Sequence, residues 1–268
     1  MDTAAIFGVP RSGTSWLGQI FNSSPNVAYR FQPLFSYAFK SRLNEHSTAD
    51  DIGNFFRDIL NTSDEFVTQK KNIPGTEEIN FSKEDLTHLI WKEVRYLHII
   101  PNLIENSSIK IIGLIRHPCS VLWSWYNAPK EFNPNWNLLQ EWRCAPSKNQ
   151  SRKEEFYGYE KWKQVAFDFI EYKKKYPDQF LLQSYEELNL NTEEVIKNLF
   201  DFLNLKWNTV TADFIKKTKA KQNRNAYSVF KKNKDNNEWR NHLPPEIEDV
   251  IVADPDYDLL YKYFRWKT

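Results

Sequence analysis

This sequence predicts an α/β fold in three layers: a central, mostly parallel sheet flanked by helices, with a phosphate-binding loop after the first strand. Three observations carry that expectation. A short apolar run at residues 4–9 breaks into a Gly/Pro/Ser-rich turn and then a helical stretch, the order strand, loop, helix. Residues 109–115, Ile-Lys-Ile-Ile-Gly-Leu-Ile, form a nearly continuous apolar run, as in a strand covered on both faces. Further β-like runs at 27–31, 88–91 and 179–185 alternate with helical stretches, and parallel strands need such crossovers.

The elements follow in order. Residues 15–21 read as the first helix. The strand at 109–115 stops sharply at Arg116-His117-Pro118, and the helix behind it carries Ser124 about two turns on. Residues 155–176 read as a long helix broken by Pro177. Residues 192–204 carry Val195, Ile196, Leu199, Phe202 and Leu203 at helical spacing, behind Thr192 as the expected cap. Pro244-Pro245 opens another helix near the C-terminus. There is no repeat, low-complexity tract or clear linker, so residues 1–268 are expected to form a single domain with helical and aromatic insertions.

Composition narrows the function. Lys and Arg total 36 against 35 Asp and Glu, so the whole chain offers no electrostatic case for nucleic acid or a membrane surface. No apolar run approaches the ~20 residues of a membrane span. Only Cys119 and Cys144 are present, which supports neither a disulfide framework nor a cysteine zinc site and points to a reducing compartment. The five histidines show no metal-ligand spacing, so no metal is expected.

Seven glycines occur in the chain, and three of them, Gly8, Gly13 and Gly18, fall together behind the first strand. Gly8-Val9-Pro10-Arg11-Ser12-Gly13-Thr14-Ser15 has the spacing of a loop whose backbone N–H groups and following helix cradle a phosphate. Thr14 stands where a nucleoside-triphosphate loop has lysine, while Arg11 sets a guanidinium inside the loop. That disfavours the alternative of a kinase-like phosphotransferase. Arg116 at a strand end, with Ser124 beyond it, makes a second anion site at the same sheet edge. A third basic segment follows at 216–234, continuing into Trp239-Arg240-Asn241-His242.

Together these residues resemble the sulfotransferases that use 3'-phosphoadenosine 5'-phosphosulfate (PAPS), over nearly the whole chain. Pro10-Arg11-Ser12-Gly13-Thr14-Ser15-Trp16 is similar to that family's loop for the 5'-phosphosulfate. Arg116 and Ser124 match its 3'-phosphate ligands. Tyr185-Glu186-Glu187-Leu188 resembles the stretch whose tyrosine lies near the adenine. Lys231-Lys232-Asn233 looks like the late loop over the 3'-phosphate, with asparagine where glycine is usual. Phe31-Gln32-Pro33-Leu34-Phe35 and Trp91-Lys92-Glu93-Val94-Arg95 resemble segments of the carbohydrate (Golgi-type) sulfotransferases.

The resemblance implies PAPS as co-substrate and a hydroxyl acceptor, with a carbohydrate or glycoconjugate expected. Arg11, Lys92, Gln32 and Glu93 are the candidate catalytic positions. Gln32 replaces the glutamate that the carbohydrate enzymes carry, and an amide cannot accept a proton at physiological pH. A weakly active nucleotide-binding relative is therefore a second alternative. Glu93, His88 or an easily deprotonated acceptor are the open substitutes for the base. The aromatic cluster Trp123, Trp125, Tyr126, Phe132, Trp136 and Trp142 is read equally as a sugar-stacking face or as lid packing. The expected location is the cytoplasm, or the Golgi lumen if an N-terminal anchor has been removed.

Overall fold

A strand whose two faces are both apolar is stable only between two layers, and the chain supplies them. The computed structural model describes residues 1–69, 81–221, 223, 225–230 and 236–266. Its strands are β1 (Asp2–Phe7), β2 (Val27–Phe31), β3 (His88–Glu93), β4 (Lys110–Ile115) and β5 (Phe180–Ser184). They pair in the order β2-β3-β1-β4-β5, and every pairing is parallel. Among the described residues the helices are α1 (Thr14–Ser23), α2 (Ala49–Asn61), α3 (Glu65–Thr68), α4 (Ile100–Asn106), α5 (Pro118–Tyr126), α6 (Leu138–Glu141) and α7 (Pro146–Asn149). The chain continues through α8 (Tyr159–Lys175), α9 (Tyr185–Leu190), α10 (Thr192–Leu203), α11 (Thr209–Ala220), α12 (Pro245–Val252) and α13 (Pro255–Phe264).

The sheet separates two cores. Ile6, Ile90, Ile112 and Leu114 pack against Leu17 and Ile20 of α1 and Ile196 and Leu199 of α10. On the other face Phe7, Leu89, Trp91, Ile111 and Ile115 meet Phe55 of α2, Leu103 of α4 and Trp162 and Phe169 of α8. Trp91 is fully buried and takes Phe7 and Phe55 edge-on at 5.3 and 5.4 Å.

Local chemistry moved several element ends. The first strand stops at Phe7, which leaves Gly8 and Val9 to the loop. The last strand stops at Ser184, whose hydroxyl caps α9 by accepting from the Glu187 N–H, so Tyr185 is a helical residue. The long helix starts at Tyr159 rather than at 155, after Gly158 in a left-handed conformation, because Glu155 is drawn away into a buried ion pair with Arg95. In α10 Thr192 is the first helical residue and makes no cap; its hydroxyl donates to the Asn189 carbonyl and accepts from Lys219 Nζ. No helix among the described residues is long and apolar enough to cross a membrane.

Candidate active site

Five parallel strands bring their C-terminal ends to one edge, so the loops after β1, β3 and β4 converge there. Gly13 caps α1 at φ 96°, the left-handed region that favours glycine. A Cβ there would lie 2.5 Å from Tyr185 Cδ2. A Cβ on Gly8 would come within 2.6 Å of the Leu114 carbonyl oxygen. The loop therefore packs directly on β4 and on the Tyr185 ring, with Ser15 and Trp16 in the first turn of α1. Trp16 meets Tyr185 edge-on at 6.0 Å, and its indole N–H donates to Thr218 Oγ1 at 3.3 Å. Ser12 Oγ is buried with no partner among the described residues, which is uncommon for a buried hydroxyl.

Arg11 does not fold into the loop as the sequence implied. Its backbone has φ 72°, and the guanidinium reaches across the edge. Nε donates to Ser124 Oγ at 3.2 Å, Nη1 to Glu131 Oε1 at 3.0 Å and Nη2 to the Ala226 carbonyl at 2.8 Å. Arg116 Nη1 donates to the Arg11 carbonyl at 3.2 Å, and the Arg116 guanidinium lies 4.6 Å over the Tyr185 ring. Its Nε is buried and unpartnered among the described residues. Arg11, Ser12, Arg116, Ser124 and Tyr185 are thus brought together at one sheet edge.

Beside Arg116, His117 is caged. Its ring stacks on Trp239 at 4.8 Å, and Nε2 shares a hydrogen bond with Tyr257 Oη at 2.9 Å. Burial pushes His117 down to about 3, helped by the Arg240 and Arg116 cations, so it stays neutral. Ser120 Oγ donates to the Asn236 carbonyl and Trp123 stacks on His242 at 4.9 Å, which fastens one flank of the late basic segment onto α5. Lys231, Lys232 and Asn233 themselves lie outside the described residues.

Lys92 enters from β3 on the same face as Ile90, under α1. Its Nζ lies 3.5 Å from Thr14 Oγ1 and 4.5 Å from the Phe31 ring centroid. Burial pushes it down to about 8, although the carboxylates of Glu93 and Glu131 oppose that fall and Arg11 adds to it. The Gln32 N–H donates to the Lys92 carbonyl at 2.9 Å, and Gln32 itself sits in the left-handed region at φ 41°. The acidic and basic neighbours of this pair separate by role: Arg95 is held by buried Glu155 and serves structure.

Two candidate bases do not fit. His88 stands at the opposite end of β3, where Nε2 donates to the Leu203 carbonyl at 2.9 Å. Glu93 is fully buried with both carboxyl oxygens unpartnered among the described residues. Burial raises its pKa well above the ordinary carboxylate range despite nearby Lys92 and Arg95, so the charged form that a base needs is disfavoured there. A Glu93→Gln variant should keep its transfer rate within about threefold; a fall of ~10²-fold or more, the scale of a lost base, would restore Glu93 to the mechanism.

The aromatic cluster is packing for the most part. Trp125, Phe132 and Trp142 are buried, and Trp136 closes edge-on against Phe132 at 5.5 Å. Sequence reasoning missed Glu131, Tyr157 and Tyr227 around Arg11. A lone glutamate in a loop carries no spacing signal, and its partners lie at distances of 26 to 120 residues along the chain. Among the described residues no group of three or more His, Cys, Asp or Glu could hold a metal ion.

A three-layer parallel sheet with an anion-cradling loop and converging cations defines a group-transfer enzyme of the phosphate-loop class. The chain belongs to the sulfotransferase family: the Sulfotransferase domain family model matches residues 2–254. No curated protein sequence matches it. Solved structures share the fold at low identity. A mouse sulfotransferase complexed with adenosine 3',5'-bisphosphate (PAP) is 15% identical with TM-score 0.55, covering 98% of this chain and 88% of that one. A sulfotransferase from Alicyclobacillus acidocaldarius is 13% identical with TM-score 0.56, covering 100% and 97%. The sulfotransferase domain of the Synechococcus PCC 7002 olefin synthase is 16% identical with TM-score 0.54, covering 100% and 96%.

Proposed function

We propose that this sulfotransferase moves the sulfuryl group of PAPS to a hydroxyl of a carbohydrate or glycoconjugate. The donor reading is carried by one observation: Ser12 Oγ and Arg116 Nε, both buried and unpartnered among the described residues, flank the Gly13 cradle where two anionic groups of one nucleotide would be bound. Sulfuryl transfer, like phosphoryl transfer, needs in-line positioning and cations at the bridging and equatorial oxygens. Arg11, Lys92 and the N-terminus of α1 are the groups available to supply them. The carbohydrate reading is supported by the sequence around Gln32 and by half-exposed Phe35 and fully exposed Tyr37 just beyond it, faces on which sugar rings stack. A cytoplasmic setting is part of the same proposal, and both cysteines are free thiols.

The test is calorimetric titration with PAP, then with magnesium-ATP. Binding of PAP without magnesium is expected, and Arg116→Ala should weaken it by about 1.5 to 3 kcal/mol, the worth of a charge-assisted hydrogen bond. Binding of magnesium-ATP alone would overturn the donor. Transfer from labelled PAPS to phenols but to no sugar would overturn the acceptor class.

A further inference from the structure

Gln32 cannot take a proton, Glu93 is fully buried with no described partner, and His88 lies at the far end of its strand. A carboxylate from a different part of the chain stands at the site instead. Glu131 lies in the turn after α5, and three contacts fix that turn. Its N–H donates to the Ala128 carbonyl at 2.8 Å, its carbonyl accepts from the Trp125 indole at 3.2 Å, and the preceding Lys130 N–H donates to Tyr227 Oη at 2.8 Å. The side chain is presented to the sheet edge. Oε1 accepts from Arg11 Nη1 at 3.0 Å and Oε2 from Tyr157 Oη at 2.9 Å.

We infer that Glu131 is the catalytic base of the sulfuryl transfer, held against Arg11 until the anionic donor takes that arginine. The inference rests on the PAPS reading above. The Arg11 guanidinium divides its donors among Glu131, Ser124 and the Ala226 carbonyl, so an incoming phosphosulfate competes directly with the Glu131 carboxylate for the same cation. Once Arg11 turns to the donor, Glu131 keeps its hydrogen bond from Tyr157 and is left beside the transferring group. Tyr157 is buried, and burial and the Glu131 charge raise its pKa well above the ordinary tyrosine value, so it remains a donor that orients the carboxylate. Glu131 is partly exposed, as a group that must meet an acceptor requires.

The step balances. The acceptor oxygen forms a bond to sulfur as the bond from sulfur to the 5'-phosphate oxygen breaks, and that electron pair leaves with PAP. The acceptor proton passes to a Glu131 carboxylate oxygen and from there to water after product departs. The charged and titratable groups around Glu131 are Arg11 from the phosphate loop, Lys92 from β3, Lys148 from α7, and Tyr157 and Tyr227 from the loops.

The experiment compares the full chain with its Glu131→Gln variant in three readouts: melting temperature, PAP affinity, and single-turnover hydrolysis of PAPS with water as acceptor across pH. The variant is expected to melt as the wild type does and to bind PAP at least as tightly, because Arg11 is freed. Its hydrolysis should fall by about 10²- to 10⁴-fold and lose the acidic limb of the rate profile. An unchanged rate and profile overturn the assignment. A variant that melts early and loses PAP marks Glu131 as a structural tie and also overturns it, as does a wild type that binds PAPS yet never hydrolyses it. Failure of the wild type to bind PAP at all would instead remove the donor reading on which the inference stands.

Discussion

Lys92→Met is expected to destroy sulfuryl transfer while making the protein more stable. Removing a preorganised charge from a transfer site costs about 10²- to 10³-fold in turnover. Stability moves the other way. Lys92 falls from its ordinary 10.5 to about 8 because it is buried, so between those values the unfolded chain binds more protons than the folded one. The burial penalty is therefore complete below about pH 8 and fades as pH rises toward 10.5. At ~1.4 kcal/mol per tenfold, it amounts to about 3 kcal/mol at pH 7. Methionine fills much of the same volume without the charge. Melting curves should show the variant several degrees higher at pH 7 and the gain shrinking by pH 10. Equal melting temperatures at pH 7 would show that Lys92 has found an anionic partner.

The same titration predicts that the affinity of the free protein for the anionic donor falls as pH rises through about 8, since the neutral amine offers no charge to the incoming oxygens. The two expected effects oppose each other at this residue, the trade expected where a charge is buried at a reaction site.

Gly13→Ala is expected to be the most damaging single-atom change at the site. A left-handed φ costs an L-residue about 1 to 2 kcal/mol. The new methyl would also sit 2.5 Å from a carbon of Tyr185, whose ring is pinned by Arg116 above it and Trp16 at its edge. A loss of about 3 kcal/mol or more in denaturant unfolding should accompany loss of PAP binding. Gly53→Ala is the control. Gly53 lies inside α2 with nothing within 4 Å of its Cβ position, so alanine there should stabilise by about 0.5 to 1 kcal/mol. Wild-type stability and binding in Gly13→Ala would refute the loop geometry.

Much of this was legible in the sequence because it was local. The strand, glycine turn and helix at the start of the chain, the two-sided strand ending at Arg116, and the Arg116-to-Ser124 spacing are all set within about ten residues of one another. Periodicity and turn chemistry act at that range. The reading of Lys231-Lys232-Asn233 rests on the resemblance alone, since these residues lie outside the described ones. Element ends were less legible, because a side chain such as Ser184 or Glu155 decided them through a specific partner.

Hydrophobic periodicity and glycine placement in this chain determined the layers, the parallel sheet and the edge at which the glycine loop sits. Tertiary structure alone decided which ionisable groups meet there. Burial disfavours the charged form of Glu93, strand position removes His88, and a turn about 120 residues from Arg11 brings Glu131 to meet it. A residue's protonation and partners depend on the dielectric and the charges around it in space, and linear spacing carries neither.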